Sequence, residues 1–255
     1  MSANAPKLVG WPDQVDLIAL EEVTSTMDVA AQHRAKRPGW ITAERQTGGR
    51  GRGGKPWHAP PGNLQATWTA PADRPLVELP LYSFVAALAL RDALGVWIAP
   101  TALAFKWPND VLADGRKIAG ILLQSAAGRL SIGIGVNITN APPRHVLPEH
   151  AVPAIAMAEL ARPDVQEPLR ADAVLAHLAI DFERWRADWG AYGFGPIRRA
   201  WLEAAANLGA PIRVVLPKET ITGIFRNVDE TGQLVLETSD GPRRIAAGEV
   251  YFDEG

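Results

Sequence analysis

At 255 residues, 47% apolar and 21% charged, the chain is large enough for one sizeable core with a small appendage, and its formal charge of −2 argues against a protein whose whole surface binds nucleic acid. It has no cysteine, which excludes disulfides, thiolate catalysis and cysteine-ligated metals, and His33, His58, His145, His150 and His177 share no metal-ligand spacing. Residues 1–15 hold no apolar core of signal-peptide type, and no stretch nears the roughly 18 apolar residues of a membrane span, so a cytoplasmic protein without membrane contact is expected.

Asp16-Leu17-Ile18-Ala19-Leu20 reads as a strand that Thr24-Ser25-Thr26 ends. Ser25 or Thr26 can cap a helix over residues 27–37, with Asp28 favourably placed in its first turn. Capping alone is a sufficient reason for both hydroxyls. Pro38-Gly39 breaks the chain, and Trp40-Ile41-Thr42-Ala43-Glu44 forms a second strand that delivers Gln46 and a glycine-rich loop.

That loop, Gly48-Gly49-Arg50-Gly51-Arg52-Gly53-Gly54-Lys55, puts five glycines and three cations into eight residues and is closed by Pro56-Trp57. Glycine lets backbone approach a ligand closely, and successive N–H groups beside cations suit an anion. Gly49 to Lys55 fits the spelling of a P-loop, but Pro56 stands where that loop needs a hydroxyl, and no helix can follow through Pro60 and Pro61. The same absence of a helix removes the dinucleotide-binding reading of Gly49 to Gly54. A disordered Arg-Gly RNA-binding box normally lies in low-complexity sequence, whereas this segment is a single copy between strand-like runs.

Asn63-Leu64-Gln65-Ala66-Thr67-Trp68 reads as a third strand, and Leu81, Phe84, Val85 and Leu88 lie on one face of an amphipathic helix over residues 80–94. Leu103-Ala104-Phe105 leads as a strand into the corner Lys106-Trp107-Pro108-Asn109-Asp110. After a turn at Asp114-Gly115, Lys117-Ile118-Ala119-Gly120-Ile121-Leu122-Leu123 returns as a hairpin strand, followed by a strand over residues 130–138. Gly133 and Gly135 in that strand leave open space for a ligand. Most of these strands are apolar on both sides, as in a sheet covered by helices.

Residues 141–168 are rich in proline and alanine, with a short helical candidate at 155–160. A strong helix over 172–189 carries the core stripe Leu175, Leu178, Phe182, Trp185 and Trp189, and a further helix over 197–208 carries Trp201. Beyond Gly209 come five short β runs at 212–216, 220–226, 233–237, 243–245 and 250–252, which predict a small β-barrel. The expected division is residues 1–208 and 209–255.

Lys106, Asn109 and Asp110 in a proline-containing corner, Lys117 and Gly120 on the returning strand, and Asn137 on the next describe a site for a phosphate-bearing ligand, with Asp110 a natural Mg2+ ligand. Singly, each lysine is as readily a solvated surface group. Together with Ser25-Thr26, Glu44-Arg45-Gln46-Thr47-Gly48-Gly49-Arg50-Gly51-Arg52-Gly53, Trp57, Lys117-Ile118-Ala119-Gly120-Ile121-Leu122 and Gly133-Ile134-Gly135-Val136-Asn137, these blocks resemble, in order and spacing, a biotin–protein ligase. The resemblance covers nearly the whole chain.

The resemblance implies an α+β fold: a mixed β-sheet flanked by helices, akin to class II aminoacyl-tRNA synthetases, with an SH3-like C-terminal barrel. It implies biotin and ATP as substrates with Mg2+, a biotinyl-5′-adenylate, and transfer to a lysine of a biotin carboxyl carrier protein. Ser25, Thr26 and Gln46 would bind the ureido head group, and backbone around Gly49, Arg50 and Gly51 the carboxylate. Gly120, Gly133 and Gly135 would shape the ring pocket. Arg52 and Lys117 would act in catalysis, while Arg50, Arg52, Trp57, Lys106, Asn109 and Asn137 would serve ATP, and Asp110 the metal. The chain departs from the pattern at Met27, where asparagine is common, and at the less basic Gly53-Gly54-Lys55-Pro56. Fewer than thirty residues precede Ser25, so the expectation is a catalytic form without a repressor domain and without DNA binding; a homodimer stays open. The alternatives are a lipoate–protein ligase, which performs the same adenylation, and an RNA-binding protein using the Arg-Gly loop.

Overall fold

The computed structural model describes residues 10–148 and 150–252. The first nine residues of the N-terminal stretch lie outside it. Strand β1 (Asp16–Val23) is followed by helix α1 (Thr26–Gln32), capped by the Ser25 side chain, and by β2 (Gly39–Gln46), which pairs parallel with β1. The expected helix of residues 27–37 stops at Gln32 because of this parallel pairing. Returning along an eight-residue strand takes roughly 25 Å at about 3.3 Å per residue. A seven-residue helix covers only about 10 Å. Residues 33–38 therefore leave the helix, beginning with His33 at ψ 133°, and bend at Lys36-Arg37 into β2.

β3 (Leu64–Pro71), the helix α2 (Tyr82–Leu94), β4 (Leu103–Lys106), β5 (Asp110–Ala113), β6 (Arg116–Ala126) and β7 (Arg129–Val136) complete the first sheet, ordered β1-β2-β3-β7-β6-β5-β4. β5 was not expected as a strand. It forms the hairpin partner of β6 around Asp114-Gly115, both at positive φ (47° and 72°), as a tight hairpin turn requires. All pairings other than β1–β2 in this sheet are antiparallel.

One face of the sheet is covered by α2 and by α3 (Ala171–Tyr192). Trp40 and Trp68 are cross-strand partners on that face, and Phe182 of α3 lies 5.7 and 5.0 Å from their ring centroids. Burying each such side chain contributes about 1.5–3 kcal/mol. α2 is buried almost all round and not only on the one face of its amphipathic pattern: eleven of its thirteen residues are buried, because the sheet lies on one side and α3 with α4 (Phe194–Glu203) on the other. α4 ends earlier than expected. The chain after it bonds to the edge strand β4, with Phe105 N–H donating to Ala204 O and Ala206 N–H to Phe105 O, both at 2.8 Å. An edge strand's free backbone groups thus outcompete further helix.

The other face differs from the expectation of strands apolar on both sides. β3 alternates Leu64, Ala66, Trp68 and Ala70 toward α2 and α3 with Gln65, Thr67 and Thr69 on the opposite face, all buried. α1 and the glycine-rich loop cover that polar face.

The second sheet comprises β8 (Pro211–Val215), β9 (Thr220–Val228), β10 (Leu234–Thr238), β11 (Gly241–Ile245) and β12 (Glu249–Phe252), all antiparallel, ordered β11-β10-β9-β8-β12. Ile212, Val214, Phe225, Val228, Leu234 and Leu236 form its interior. Trp107 Nε1 donates to Gly232 O at 3.1 Å and Ser83 Oγ to Pro108 O at 3.0 Å, so the proline corner is pinned between the second sheet and α2. Among the described residues no helix is long and apolar enough to cross a membrane.

Candidate active site

Cross-strand register creates the site. Gln65 on β3 pairs with Gly135 on β7, Gly135 with Gly120 on β6, Gly120 with Asp110 on β5, and Asp110 with Lys106 on β4. Directly opposed residues point to the same face, so two glycines form a trough with an amide at one end and charges at the other. The trough is the floor of a cleft of about 580 Å3. The space above Gly133 and Gly135, expected to be open, is occupied by Trp57 and Met27. A Cβ on Gly135 would lie 2.5 Å from Trp57 Nε1, and one on Gly133 3.0 Å from the sulfur of Met27.

At the amide end the hydrogen bonds form a fixed chain. Thr67 Oγ1 donates to Thr26 Oγ1 (2.8 Å), and Thr26 donates both its hydroxyl (3.0 Å) and its backbone N–H (2.7 Å) to Gln46 Oε1. The backbone N–H can only donate, so it settles which end of the Gln46 amide faces it. Ser25 Oγ accepts from Met27 N–H at 3.2 Å. Capping is therefore real for Ser25, and it still leaves the hydroxyl hydrogen to donate.

At the other end Asp110 stands between two ammonium groups, Lys117 Nζ at 2.7 Å and Lys106 Nζ at 3.9 Å. Lys117 Nζ also lies 3.4 Å from where a Gly120 Cβ would be, over the trough floor. Lys106 is deeply placed: burial pulls its pKa below the usual lysine value, Lys117 and Arg52 push the same way, and Asp110 and Glu249 oppose them. Arg52 Nη1 is 3.3 Å from both Asn109 Oδ1 and Gly248 O, while Lys55 pairs with Glu249 of β12. Lys55 and a hydrogen bond from Tyr251 hold the Glu249 carboxyl below its usual range. The glycine-rich loop is thus tied to the second sheet.

Arg50 turns instead toward α1, where its bidentate pair with Asp28 lowers the Asp28 pKa. Part of the loop's backbone donates within the protein: Gly48 N–H to Thr24 O, Gly51 N–H to Lys55 O and Trp57 N–H to Gly49 O. Asn137 Nδ2 reaches Lys117 O at 3.4 Å, and its Oδ1 is buried with no partner among the described residues.

Fifteen of the sixteen expected site residues line this one cleft: Ser25, Thr26, Gln46, Arg50, Gly51, Arg52, Trp57, Lys106, Asn109, Asp110, Lys117, Gly120, Gly133, Gly135 and Asn137. Gly49 does not line it; a Cβ there would meet Gln46 Nε2 and Trp57 O, each at 3.0 Å. Sequence reasoning did not single out Gln65, or the Gly248-Glu249 segment of the second sheet. No local pattern marks either. Five cations (Arg50, Arg52, Lys55, Lys106, Lys117) against two carboxylates (Asp110, Glu249) line the cleft, which suits an anionic ligand. Asp110 already faces two ammoniums, and among the described residues no three acids or histidines gather around a metal position.

Two family models match: the biotin/lipoate A/B protein ligase family over residues 19–139 and the biotin protein ligase C-terminal domain over residues 208–253. A biotin–[acetyl-CoA-carboxylase] ligase of Paracoccus denitrificans is 40% identical, over 84% of this chain and 90% of its own. The bifunctional ligase/repressor BirA of Bacillus subtilis is 30% identical, over 92% of this chain and 73% of its own. The structure of biotin protein ligase from Aquifex aeolicus in complex with biotin and ATP superposes with a TM-score of 0.76 at 24% identity, covering 92% of this chain and 97% of that one.

Proposed function

The chain belongs to the biotin protein ligase family, and on that basis we propose that its glycine-floored cleft joins biotin to ATP as biotinyl-5′-adenylate before transfer. The protein is an ATP-dependent ligase that activates biotin and passes it to the carrier protein of acetyl-CoA carboxylase. The observation that carries the residue assignments is the row Gln65–Gly135–Gly120–Asp110–Lys106, with hydrogen-bonding groups at one end and ammonium groups at the other.

In the first step a carboxylate oxygen of biotin attacks the α-phosphorus of ATP; an O–P bond forms, and the bond to pyrophosphate breaks with its electron pair. In the second, a carrier lysine amine attacks the acyl carbon, AMP leaves with the C–O electron pair, and the amine loses a proton. Two anions must meet in the first step, so positioning and charge neutralisation dominate. Lys117 is assigned to bridge carboxylate and α-phosphate, a role supported by its ion pair with Asp110 and by its position over Gly120. An incoming phosphate also favours the charged form of Lys106, which burial disfavours. Ser25, Thr26 and Gln46 receive the ureido group. The buried Oδ1 of Asn137 is free to accept from the adenine amine, with Trp57 flanking the base. Mg2+ would accompany ATP as part of that substrate and offset phosphate charge, and Asp110 would be the residue to hold it, in exchange for its ion pairs with Lys117 and Lys106.

This reading needs neither DNA nor a membrane, and a cytoplasm that supplies ATP suits the reaction. The test is exchange of labelled pyrophosphate into ATP, expected to require both biotin and Mg2+. Equal exchange with lipoate, or none with biotin, would remove the assignment.

A further inference from the structure

We propose that Gln65 is a further substrate-recognition residue, whose side-chain Oε1 accepts a hydrogen bond from one N–H of the ureido ring of biotin. The proposal rests on the functional reading above. Gln65 is 2% exposed and lines the cleft, yet neither Oε1 nor Nε2 has a hydrogen-bond partner among the described residues. Its main chain, by contrast, is engaged: Thr42 Oγ1 donates to its carbonyl. A buried amide left without partners destabilises the protein that carries it, so packing alone does not account for a glutamine here.

The hydrogen-bonding capacity of a cyclic urea leaves one place for this amide. A cyclic urea presents one carbonyl, which can accept twice, and two N–H donors. Ser25 retains its O–H, and Gln46 retains its Nε2 hydrogens, which together match the carbonyl. Thr26 Oγ1, which donates to Gln46 and accepts from Thr67, has one lone pair left for the first N–H. Gln46 Oε1 is already filled by two donors from Thr26, so it cannot take the second. Gln65 stands two residues from Thr67 on the same face of β3, roughly 7 Å along the strand, within the span of a fused bicyclic ring. Neither end of its amide is committed elsewhere, so Oε1 can turn toward that N–H. A dithiolane ring, which has no N–H, would leave the amide unsatisfied, and the same contact therefore favours biotin over lipoate.

The test is Gln65→Leu, with Gln65→Met as a second apolar variant of similar length should leucine disturb packing. Without ligand, the thermal midpoint should stay level or rise, because a buried unsatisfied amide is removed. Calorimetric biotin affinity should fall about 10–100-fold, with ATP affinity unchanged. Two biotin analogues, each with one ureido N–H replaced by oxygen, close the cycle. Wild-type protein should lose affinity for both, and the variants should lose no further affinity for one of them. Biotin binding within twofold of wild type in both variants, or equal discrimination of both analogues by wild type and variants, would overturn the proposal. Failure of the wild-type protein to bind biotin would instead overturn the functional reading.

Discussion

Gly120 on β6 and Gly135 on β7 stand directly opposite each other, and the indole of Trp57 lies across both. A methyl at Gly135 would fall 2.5 Å from Trp57 Cζ2, and one at Gly120 3.0 Å from Cζ3. Gly135→Ala must therefore displace the ring and raise the trough floor. Biotin affinity and pyrophosphate exchange should fall together, about 10–100-fold, with a smaller loss for Gly120→Ala. Trp57 sits on a loop and can swing aside, so the thermal midpoint should hardly move. Unchanged biotin binding in Gly135→Ala would show that the trough is not the ring pocket.

Removal of Lys117 tests the bridging cation. Its ammonium is 2.7 Å from Asp110 and lies over Gly120, while the ureido contacts lie at the far end of the trough. Loss of one preorganised contact to developing charge costs about 10²–10³ in rate, roughly 3–4 kcal/mol. Lys117→Ala should therefore slow single-turnover adenylation by that factor and weaken biotin binding only modestly. Adenylation near the wild-type rate would defeat the assignment.

Lys106 makes a prediction about stability and pH. Burial lowers its folded-state pKa below the ordinary 10.5. Below the folded pKa both states are protonated, and the folded state carries the full penalty. Between the folded pKa and 10.5 the unfolded chain binds more protons, so stability rises with pH there. Lys106→Met should thus be more resistant to denaturant than wild type at pH 7–8, and the difference should shrink toward pH 10.5. A difference independent of pH across that range would count against a buried ammonium.

Arg52 ties the loop to Asn109 and to Gly248, both at 3.3 Å. Arg52→Gly should loosen this tie more than it stops adenylation, releasing the adenylate to label bystander lysines. Mass spectrometry of bulk protein incubated with the variant reads this directly. Labelling confined to the carrier would refute it.

Much of the fold is legible in local sequence. The Asp114-Gly115 turn, the α3 stripe through Leu175, Leu178, Phe182 and Trp189, and the five C-terminal β runs follow from periodicity and turn chemistry, which act over a few residues. Strand β5 is not legible. Its four residues lie between a corner and a turn, too few to show a period. The extent of α1 and α4 is set by parallel pairing with β1 and by capture on β4, both of which involve distant chain. The all-round burial of α2 likewise depends on what packs behind it.

The residue types of the site and the order of its blocks are written in the chain, because glycine, lysine and proline act locally on backbone freedom and charge. Which of them become neighbours is settled only in three dimensions. Gln65, Asp110, Gly120 and Gly135 lie up to seventy residues apart, and hydrogen-bond register alone brings them into one row. In sequence Gln65 is one polar position in an alternating strand. Its buried, unsatisfied amide exists only because β7 pairs with β3 on one side while α1 and the loop close over the same face.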